Sequence, residues 1–522
     1  MSKKFNVTGT CIPEKHYMVD ISDKLVQIKK LIDDEEYFTI NRGRQYGKTT
    51  TLSQLRRFLA DEYVIILISF QGMGEVSFTN EEAFCKFFLT AIDDFLERSN
   101  EDADWMNETV VTFFELGRHL TKKCKNKKIV LMIDEVDQAS NYRIFLEFLA
   151  LLRDKFLKRQ DGLDDTFHSV ILVGVYDIKN IKLKMINDGV YIPTEDERQV
   201  NSPWNIAAQF EVEMSFSIPE IQTMLVDYEK DYQTGMDMMA VATEIDHYTS
   251  GYPVLVTSIC KYMTEKLNND WTTAGVRQAV KLVLTENSPL FEHLVTNLTN
   301  NKEFSNLVYH ILMIGTKIPF NIYNPLINLG IRYGYFSSRR KSGGGVMISN
   351  KIFEIFLTNY FVNQDIDMKI QASSNSKIDT EGVIENDKLN MQVCLEKFSK
   401  YYHQYYNQND VAFFEHEARK LFLMFVSAIV NGSGFAYMES ELGDKRRTDV
   451  IVSFMRHQFI VELKIWRGDK KHKEAQQQLL GYMDKLGVKE GYLLTFDFNE
   501  QKERYQKWVD AQQGRKIFDV RV

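Results

Sequence analysis

The sequence predicts an α/β protein in three parts: a parallel β-sheet covered by helices, a mainly helical segment, and a second, smaller α/β unit. Three observations support this order. In the first third of the 522-residue chain, short apolar runs alternate with amphipathic stretches, which is typical of parallel sheets. Helical spacing then prevails from about residue 216, and strand-like runs return after about residue 430.

The composition is that of a folded protein and excludes several classes. Hydrophobic residues make up 44% and charged residues 26%, which excludes a disordered chain, and the length predicts roughly three or four domains. The net charge of −8 provides no general basic field, so nucleic-acid contacts would have to be local. Five scattered cysteines without a C-x-x-C pair predict reduced thiols, and no apolar run reaches the ~20 residues of a membrane span. We therefore expect a cytoplasmic protein that makes no membrane contact.

Continuous apolar runs predict the strands of the first sheet. They are "YFTI" (37–40), "YVIILISF" (63–70), "KKIVLMIDEVD" (127–137) and "HSVILVGVYD" (168–177). Runs of this kind, rich in β-branched residues, are typical of strands that are buried on both faces. A helix is expected to open directly after the glycine of "YGKTTTL".

The segment "NRGRQYGKTTTL" (41–52) contains the second half of a phosphate-binding loop. In the motif G-x-x-x-x-G-K-[ST], backbone amides surround the phosphates, the lysine reaches the β and γ oxygens, and the hydroxyl holds Mg²⁺. Here Arg42 stands in place of the first glycine, although Gly43 next to it supplies backbone freedom. An accidental G-K-T before a helix remains the alternative. The predicted nucleotide-binding residues are Gly43, Arg44, Gly47, Lys48, Thr49 and Thr50.

Two acidic residues at the end of a buried strand favour a nucleotide site. In "IVLMIDEVD" the apolar run ends at Asp134 and Glu135, as in the second motif of ATPases. Asp134, with Thr49, is predicted to hold Mg²⁺ and its water shell, and Glu135 to polarise the attacking water. Acids at this place also serve as simple helix caps, but both motifs occur here in the expected order.

Several segments together resemble the bacterial AAA-ATPase-like family of P-loop proteins. They are "FNVTGTCIPEKHYMVD", "YFTINRGRQYGKTT", "LMIDEVD", "SPWNIAAQF" and "GYPVLV". The resemblance implies a P-loop NTPase domain in which Arg42 is a family feature. Relatives often carry an arginine where this chain has Tyr176, which leaves hydrolysis open. Asn205 is a candidate polar sensor or simply a loop residue.

The middle of the chain predicts a helical lid followed by a winged-helix-like unit. "IPFNIYNPLINLGIRYGYF" and "RRKSGGGVMISN" suggest a helix and then a glycine-tipped hairpin. The unit either binds DNA or serves as a structural lid. Its candidate DNA contacts are Arg332, Arg339, Arg340 and Lys341. The predicted domains are residues 1–215 (ATPase), 216–365 (helical lid and winged helix), 366–395 (linker) and 396–522 (second α/β unit).

A second chemical signal lies in "RTDVIVSFMRHQFIVELKIW" (447–466). Asp449 begins one predicted strand, and Glu462 and Lys464 lie on the next. The period of two along a strand places Glu462 and Lys464 on the same face. An acid and a lysine on an apolar strand are costly to bury unless they pair or hold a metal. The alternative is a simple Glu–Lys pair on a half-exposed sheet.

This D…E-x-K pattern resembles the PD-(D/E)XK nuclease superfamily, although Thr448 replaces the proline before Asp449. The resemblance implies that Lys464 positions the attacking water, and that Gln478 on the following helix assists. It also implies an acid from the first helix, namely Glu417, with Glu415 as the alternative. The implied metal ligands are Glu417, Asp449 and Glu462.

Together these signals predict an ATP- and Mg²⁺-using protein in which an AAA-like ATPase regulates a nuclease. The expected substrate is nucleic acid, DNA rather than RNA, and a homo-oligomer is possible. Local positive charge beside the predicted site comes from Lys445, Arg446 and Arg447 and from the stretch "RGDKKHK" (467–473). The alternative function is a nucleotide-dependent switch or scaffold that binds nucleic acid or a protein partner without cutting.

Overall fold

A computed structural model describes most of the chain. The described residues are 3–99, 101, 103–139, 142–175, 204–336, 345–372, 380–405, 415–430, 433–438, 449–455, 457–498, 504–511 and 514–522. By backbone proximity the chain divides into two compact units. The first comprises Met1–Gln233, Gly251–Thr257 and Arg332–Gly334; the second comprises Thr234–Ser250, Ser258–Ile331 and Tyr335–Val522.

The first unit is an α/β layer structure. Its elements are α1 (Ser22–Asp33), β1 (Tyr37–Asn41), α2 (Lys48–Leu59), β2 (Val64–Ser69), α3 (Glu81–Arg98), α4 (Phe113–Cys124), β3 (Ile129–Asp134), α5 (Arg143–Gln160), β4 (Ser169–Gly174) and α6 (Ile218–Tyr232). Short 3₁₀ turns occupy Glu75–Phe78 and Val136–Ala139. Side-chain caps define where two of these helices begin, since α4 and α6 start with complete capping boxes at Thr112 and Ser217.

The four strands form a parallel sheet in the order β1-β4-β3-β2. Every residue of β3 and β4 is buried, as the continuous apolar runs predict. An aromatic cluster packs beside the sheet, with Phe84, Phe88 and Phe148 each fully buried. The carboxyl ends of β1, β3 and β4 meet at one edge, where loops carry functional side chains in open α/β sheets.

The second unit begins with helices. They are α7 (Met238–Thr249), α8 (Pro253–Glu265), α9 (Thr273–Thr285), α10 (Pro289–Asn300), α11 (Lys302–Tyr309), α12 (Pro325–Arg332) and α13 (Lys351–Ala372), with a π-helical turn at His310–Ile314. The first residues of α8 and the last of α12 belong to the first unit. Isolated antiparallel bridges join Pro319 to Gly345 and Phe336 to Ile348. The hairpin tip predicted between them, with Arg339, Arg340 and Lys341, lies outside the described residues.

The remainder of the second unit contains a six-stranded mixed sheet. Its elements, after the short hairpin β5 (Ile384–Glu385) and β6 (Lys388–Leu389), are α14 (Met391–Tyr405), α15 (Glu415–Val430), β7 (Gly434–Met438), β8 (Asp449–Phe454), β9 (His457–Ile465), α16 (Asp469–Leu486), β10 (Glu490–Phe496), β11 (Tyr505–Asp510) and β12 (Lys516–Arg521). The strand order is β11-β12-β10-β9-β8-β7. β9, β10 and β12 are parallel, and the other neighbours are antiparallel.

Helix α16 covers the face of this sheet that carries the predicted site. Its buried residues Leu479 and Met483 pack against Ile460 of β9 and Leu493 of β10. Because side chains alternate along a strand, Ile460 lies on the same face as residues 462 and 464. The backbone of helix α15, which carries Glu417, is described from Glu415. The segment predicted as a linker contains the end of α13, the hairpin β5–β6 and the start of α14.

Candidate nucleotide and nuclease sites

The phosphate-loop backbone explains why the chain tolerates the missing first glycine. The loop connects β1 to α2, and its left-handed residues are Gln45 (φ 57°) and Gly47 (φ 76°). Arg42 does not have a positive φ, so residues other than glycine can adopt its backbone conformation without strain. The glycine that the geometry requires is Gly47, at the N-cap of α2.

The Arg42 side chain is directed toward the segment that follows β4 in sequence. Its guanidinium donates to the carbonyl oxygens of Asn41 at 3.0 Å and Val212 at 3.2 Å. It also lies 5.7 Å from the centroid of the Phe210 ring. The backbone amide of Arg42 donates to the carbonyl of Gly174 at 3.3 Å. These contacts give Arg42 a structural role at the edge of the sheet.

Lys48 lies inside the loop. Its Nζ donates to the carbonyl oxygens of Arg42 and Gly43, each at 3.0 Å, and the residue is buried. Burial lowers the pKa of Lys48, and the nearby carboxylates of Glu135, Asp137 and Asp134 oppose that effect. The acids therefore help to keep the ammonium charged, which a phosphate-binding lysine requires.

Two oxygen atoms that suit Mg²⁺ meet beside Lys48. The Thr49 hydroxyl donates to Asp134 Oδ2 at 2.6 Å, and Asp134 ends the buried strand β3. Hydroxyl and carboxylate oxygens are ligands that Mg²⁺ prefers, so this pair fits the ion. The second hydroxyl, that of Thr50, accepts a hydrogen bond from the Cys11 amide at 3.2 Å and so contacts the N-terminal segment.

Glu135 follows Asp134 in a left-handed conformation, with φ 53°. The turn is supported by a hydrogen bond from its amide to Asp134 Oδ1 at 2.9 Å. Burial raises the pKa of Glu135, and the Asp134 charge raises it further, while Lys48 and Arg44 lower it. A half-buried carboxyl with a raised pKa suits a proton acceptor. Arg44 itself is exposed.

The nuclease-like sheet places its predicted acids opposite each other. Asp449 and Glu462 are register partners in the antiparallel pair β8–β9. Glu462 is fully buried, and Lys464 Nζ forms an ion pair with its carboxylate. The Lys464 side chain is 19% exposed, so the pair reaches the surface at the lysine. The side chain of Asp449 lies outside the described residues, as does that of Glu417, whose backbone is helical.

Gln478 is half-buried on α16, the helix that covers the Glu462 and Lys464 face. Among the described side chains, no group of three or more His, Cys, Asp or Glu is arranged to hold a metal ion. Of the helices that the structure describes, none is long and apolar enough to cross a membrane.

A family model described as an AAA-like domain matches residues 23–322, more than half of the chain. The chain belongs to the AAA-like domain family. A second model, for the PD-(D/E)XK nuclease superfamily, matches residues 433–508. The two matches confirm the predicted families and the predicted fold class: a P-loop AAA-like ATPase domain followed by a PD-(D/E)XK nuclease-like α/β domain. They do not test the bacterial origin that the resemblance suggested.

The chain is also similar to several solved structures, of which three are described by their sequence identity, coverage and TM-score. The Walker-type ATPase of Pyrococcus abyssi is 15% identical, covering 68% of this chain and 99% of that chain, with a TM-score of 0.45. The ORC2 protein of Aeropyrum pernix in its ADP form is 13% identical, with 71% and 98% covered and a TM-score of 0.33. The ORC1 protein of the same organism in complex with DNA is 10% identical, with 66% and 94% covered and a TM-score of 0.30. No curated protein matches this chain.

The AAA-like domain holds its phosphate loop with a residue that sequence reasoning missed. The Tyr252 hydroxyl donates to the Arg44 carbonyl at 2.7 Å, and its ring packs edge-on against Tyr46 with centroids 4.6 Å apart. A Cβ added to Gly43 would lie 3.5 Å from the same hydroxyl. The only sequence signal was the break at "GYP", since a contact over 208 positions leaves no local pattern.

Two further residues of the AAA-like domain, Asn205 and Tyr176, bear on the sensor role that the sequence suggested. Asn205 is exposed, in a turn beside the buried Trp204. Tyr176 lies outside the described residues. Neither position tests the sensor role that the sequence suggested, so that role stays a prediction.

In the nuclease-like domain, sequence reasoning missed a buried polar cluster at the carboxyl ends of β10 and β12. Arg521 Nε donates to Asp497 Oδ2 at 2.8 Å, and its guanidinium lies 3.5 Å from the Trp466 ring centroid. Asp519, which is buried, contacts His472 Nε2 at 2.7 Å. The strands β11 and β12 were not predicted, because the polar turns around them hide a short apolar run.

Proposed function

We propose that this protein binds ATP and Mg²⁺ at the phosphate loop, hydrolyses ATP, and thereby regulates a Mg²⁺-dependent nuclease in its C-terminal domain. One observation carries the proposal. The chain combines a buried Lys48 beside the Thr49–Asp134 pair with a fully buried Glu462 paired to Lys464. The start of α2 at Lys48, the end of β3 at Asp134, and the location of Glu462 within β9 support the proposal.

At the phosphate loop the protein's own groups divide the work. Lys48 would exchange its two carbonyl acceptors for the β and γ oxygens of ATP, which are stronger, charged acceptors. Thr49 and Asp134 would hold Mg²⁺, which neutralises the developing phosphate charge when bound. Glu135 would accept the proton of the attacking water, consistent with its raised pKa.

At the nuclease-like site the buried pair supplies two functions. Glu462, with Asp449 opposite it in register, would ligate Mg²⁺, which polarises the scissile phosphate and lowers the pKa of a bound water. Lys464, the partly exposed member of the pair, would orient the attacking water and stabilise the transition-state charge. Gln478 and Glu417 are proposed as supporting groups. We propose DNA rather than RNA as the substrate.

The domain arrangement that we propose is an ATPase at 1–215, a helical and winged-helix segment at 216–365, a linker at 366–395 and the nuclease at 396–522. In this arrangement the nucleotide state sets the middle segment, which gates access to the nuclease site. A homo-oligomer, cytoplasmic location and DNA contact by Arg332 are part of the same proposal.

The test is cleavage of a panel of single- and double-stranded DNA and RNA, with and without Mg²⁺ and ATP. The informative variants are Glu462→Gln and Lys464→Met. Their matched controls are Glu490→Gln and Lys516→Met, which change an exposed carboxylate and an exposed ammonium of the same sheet. Cleavage by wild type and both controls, but by neither site variant, is expected. Equal cleavage by all five proteins would remove the nuclease assignment.

The second candidate function is a nucleotide-dependent switch that binds nucleic acid or a protein partner without cutting. The Tyr176 position, where relatives often carry an arginine, favours it. Calorimetric titration of ATP into wild type and Lys48→Ala, followed by phosphate release, separates the two functions. Tight binding by wild type with negligible turnover and no cleavage would favour the switch.

A further inference from the structure

A third acid of "IDEVD", Asp137, makes a contact that neither nucleotide motif explains. The ladder between β3 and β4 ends at the pair Ile133–Leu172, whereas β1 and β4 remain paired as far as Asn41–Gly174. Past Leu172, β4 therefore lacks a strand partner on the β3 side. There Asp137 Oδ2 accepts a hydrogen bond from the Val175 amide at 2.6 Å. The carboxylate takes the place of the missing backbone acceptor.

The approach of this carboxylate depends on a glycine. A Cβ added to Gly174 would lie 2.9 and 3.0 Å from the two Asp137 carboxylate oxygens and 3.0 Å from Val136 Cγ2. Any larger residue at this position would therefore force the side chains of Asp137 and Val136 to shift. The bare Cα of Gly174 thus lets the acid reach the neighbouring strand.

The same strand end supports the phosphate loop. The Gly174 carbonyl accepts from the Arg42 amide at 3.3 Å, and the Arg42 carbonyl accepts from Lys48 Nζ at 3.0 Å. A continuous path thus runs from Asp137 to Lys48 through three hydrogen bonds, the Gly174–Val175 peptide group and the backbone of Arg42. The Asp137 charge also helps to raise the pKa of Lys48 against the effect of burial.

We propose that Asp137 is a positioning residue of the ATPase reaction, which fixes the carboxyl end of β4 and through it the start of the phosphate loop. The proposal rests on the ATP hydrolysis proposed above and names a further residue of that site. Asp137 does not act on the water or the metal. The simpler role, a cap for α5, does not explain a 2.6 Å contact to the amide that directly follows β4, 38 positions away.

The test compares Asp137→Asn, which keeps an acceptor oxygen, with Asp137→Ala, which removes it. Asp154→Ala, at an exposed carboxylate on α5, is the control. We expect kcat for ATP hydrolysis to fall by about 10- to 100-fold in Asp137→Ala and by less than about 3-fold in Asp137→Asn, since the acceptor oxygen for the Val175 amide is lost only in the former. The Kd for a non-hydrolysable ATP analogue should change by less than about 3-fold in both.

Hydrogen exchange of a peptide containing Val175 provides a readout that does not need turnover. Its amide should exchange faster in Asp137→Ala than in wild type, with Asp137→Asn close to wild type. An unchanged kcat in Asp137→Ala, or an equal loss in Asp137→Asn, overturns the positioning role and leaves the ATPase intact. So does parallel weakening of kcat, Kd and thermal stability in Asp137→Ala, which would indicate general unfolding.

A wild type that binds ATP without turnover gives a different result. It removes hydrolysis from the proposed function and the positioning role with it, while ATP binding, tested by Lys48→Ala, stands. The two failures are therefore distinguishable. A wild type that hydrolyses ATP, with loss only in Asp137→Ala, supports both.

Discussion

The two sites of this protein hold their lysines in different ways. In the AAA-like domain, Lys48 donates to two backbone carbonyls, which carry no net charge. In the nuclease-like domain, Lys464 is paired with a carboxylate that is fully buried. Removing Lys48 leaves two carbonyls without a donor, whereas removing Lys464 leaves a buried negative charge. Loss of the lysine is therefore expected to destabilise the fold more at the nuclease-like site than at the phosphate loop.

The largest expected effect is a loss of folding stability when Lys464 is replaced at the nuclease-like site. Lys464→Met should lower the free energy of unfolding by about 3 kcal/mol, because it leaves the buried Glu462 carboxylate uncompensated. The double variant Glu462→Gln/Lys464→Met should recover much of that loss, since the charge is then absent. Urea denaturation of wild type, both single variants and the double variant measures the interaction as a cycle.

The control for this cycle is Lys516→Met, at an exposed position of the same sheet, which should change stability by less than about 0.5 kcal/mol. Additive effects of the two single variants would contradict the pairing. They would mean that Glu462 is held by groups other than Lys464.

At the nucleotide site, the second prediction is a large loss of ATP affinity with little change in folding stability. Lys48→Ala should weaken ATP binding by about 100-fold, or about 2.7 kcal/mol, because the phosphates lose a charged donor. The stability of the nucleotide-free protein should change by less than about 1 kcal/mol, since removal of a buried ammonium relieves a desolvation cost. Calorimetric titration with ATP and urea denaturation measure the two quantities. If Lys48→Ala greatly destabilised the nucleotide-free protein, the expected difference between Lys48 and Lys464 would be contradicted.

The sequence predicts more about single strands than about contacts between distant elements. The apolar runs locate β1 to β4 to within a few residues. Once "FIVELKIW" is taken as a strand, the period of two along a strand is enough to place Glu462 and Lys464 on one face. Period and propensity are local properties, so they are readable without a fold. The register that sets Asp449 opposite Glu462 depends on the hairpin between β8 and β9, and the sequence indicates only the order of the two strands.

The contacts of Tyr252 and Asp137 could not have been predicted in this way. Tyr252 reaches a carbonyl 208 positions away, and Asp137 reaches an amide beyond the end of a ladder whose length the sequence does not give. In both cases a side chain forms a hydrogen bond with a backbone carbonyl or amide that has no partner within the helices and strands. Such groups are known only after strand pairing is known.

The third prediction concerns the hydroxyl that holds the phosphate loop. Tyr252→Phe should lower the free energy of unfolding by about 1 kcal/mol and weaken ATP binding by about 2- to 5-fold, because only one hydrogen bond is lost and the ring contact with Tyr46 remains. Tyr323→Phe, at a side chain that is 92% exposed, is the matched control. Unchanged ATP affinity in Tyr252→Phe would show that the hydroxyl stabilises the fold without shaping the loop.

The smallest expected effect answers the question raised by the loop sequence. Arg42→Gly restores the first glycine of the general motif, yet ATP affinity should change by less than about 3-fold, because the left-handed positions of the loop are Gln45 and Gly47. Stability should fall by about 1 kcal/mol, since the guanidinium bonds to Asn41 and Val212 are lost. Arg42→Ala separates the two causes, because it removes the same bonds without adding backbone freedom. If Arg42→Gly bound ATP clearly better than Arg42→Ala, the result would show that backbone flexibility at position 42 matters for ATP binding, as the positive φ angles indicate for Gln45 and Gly47.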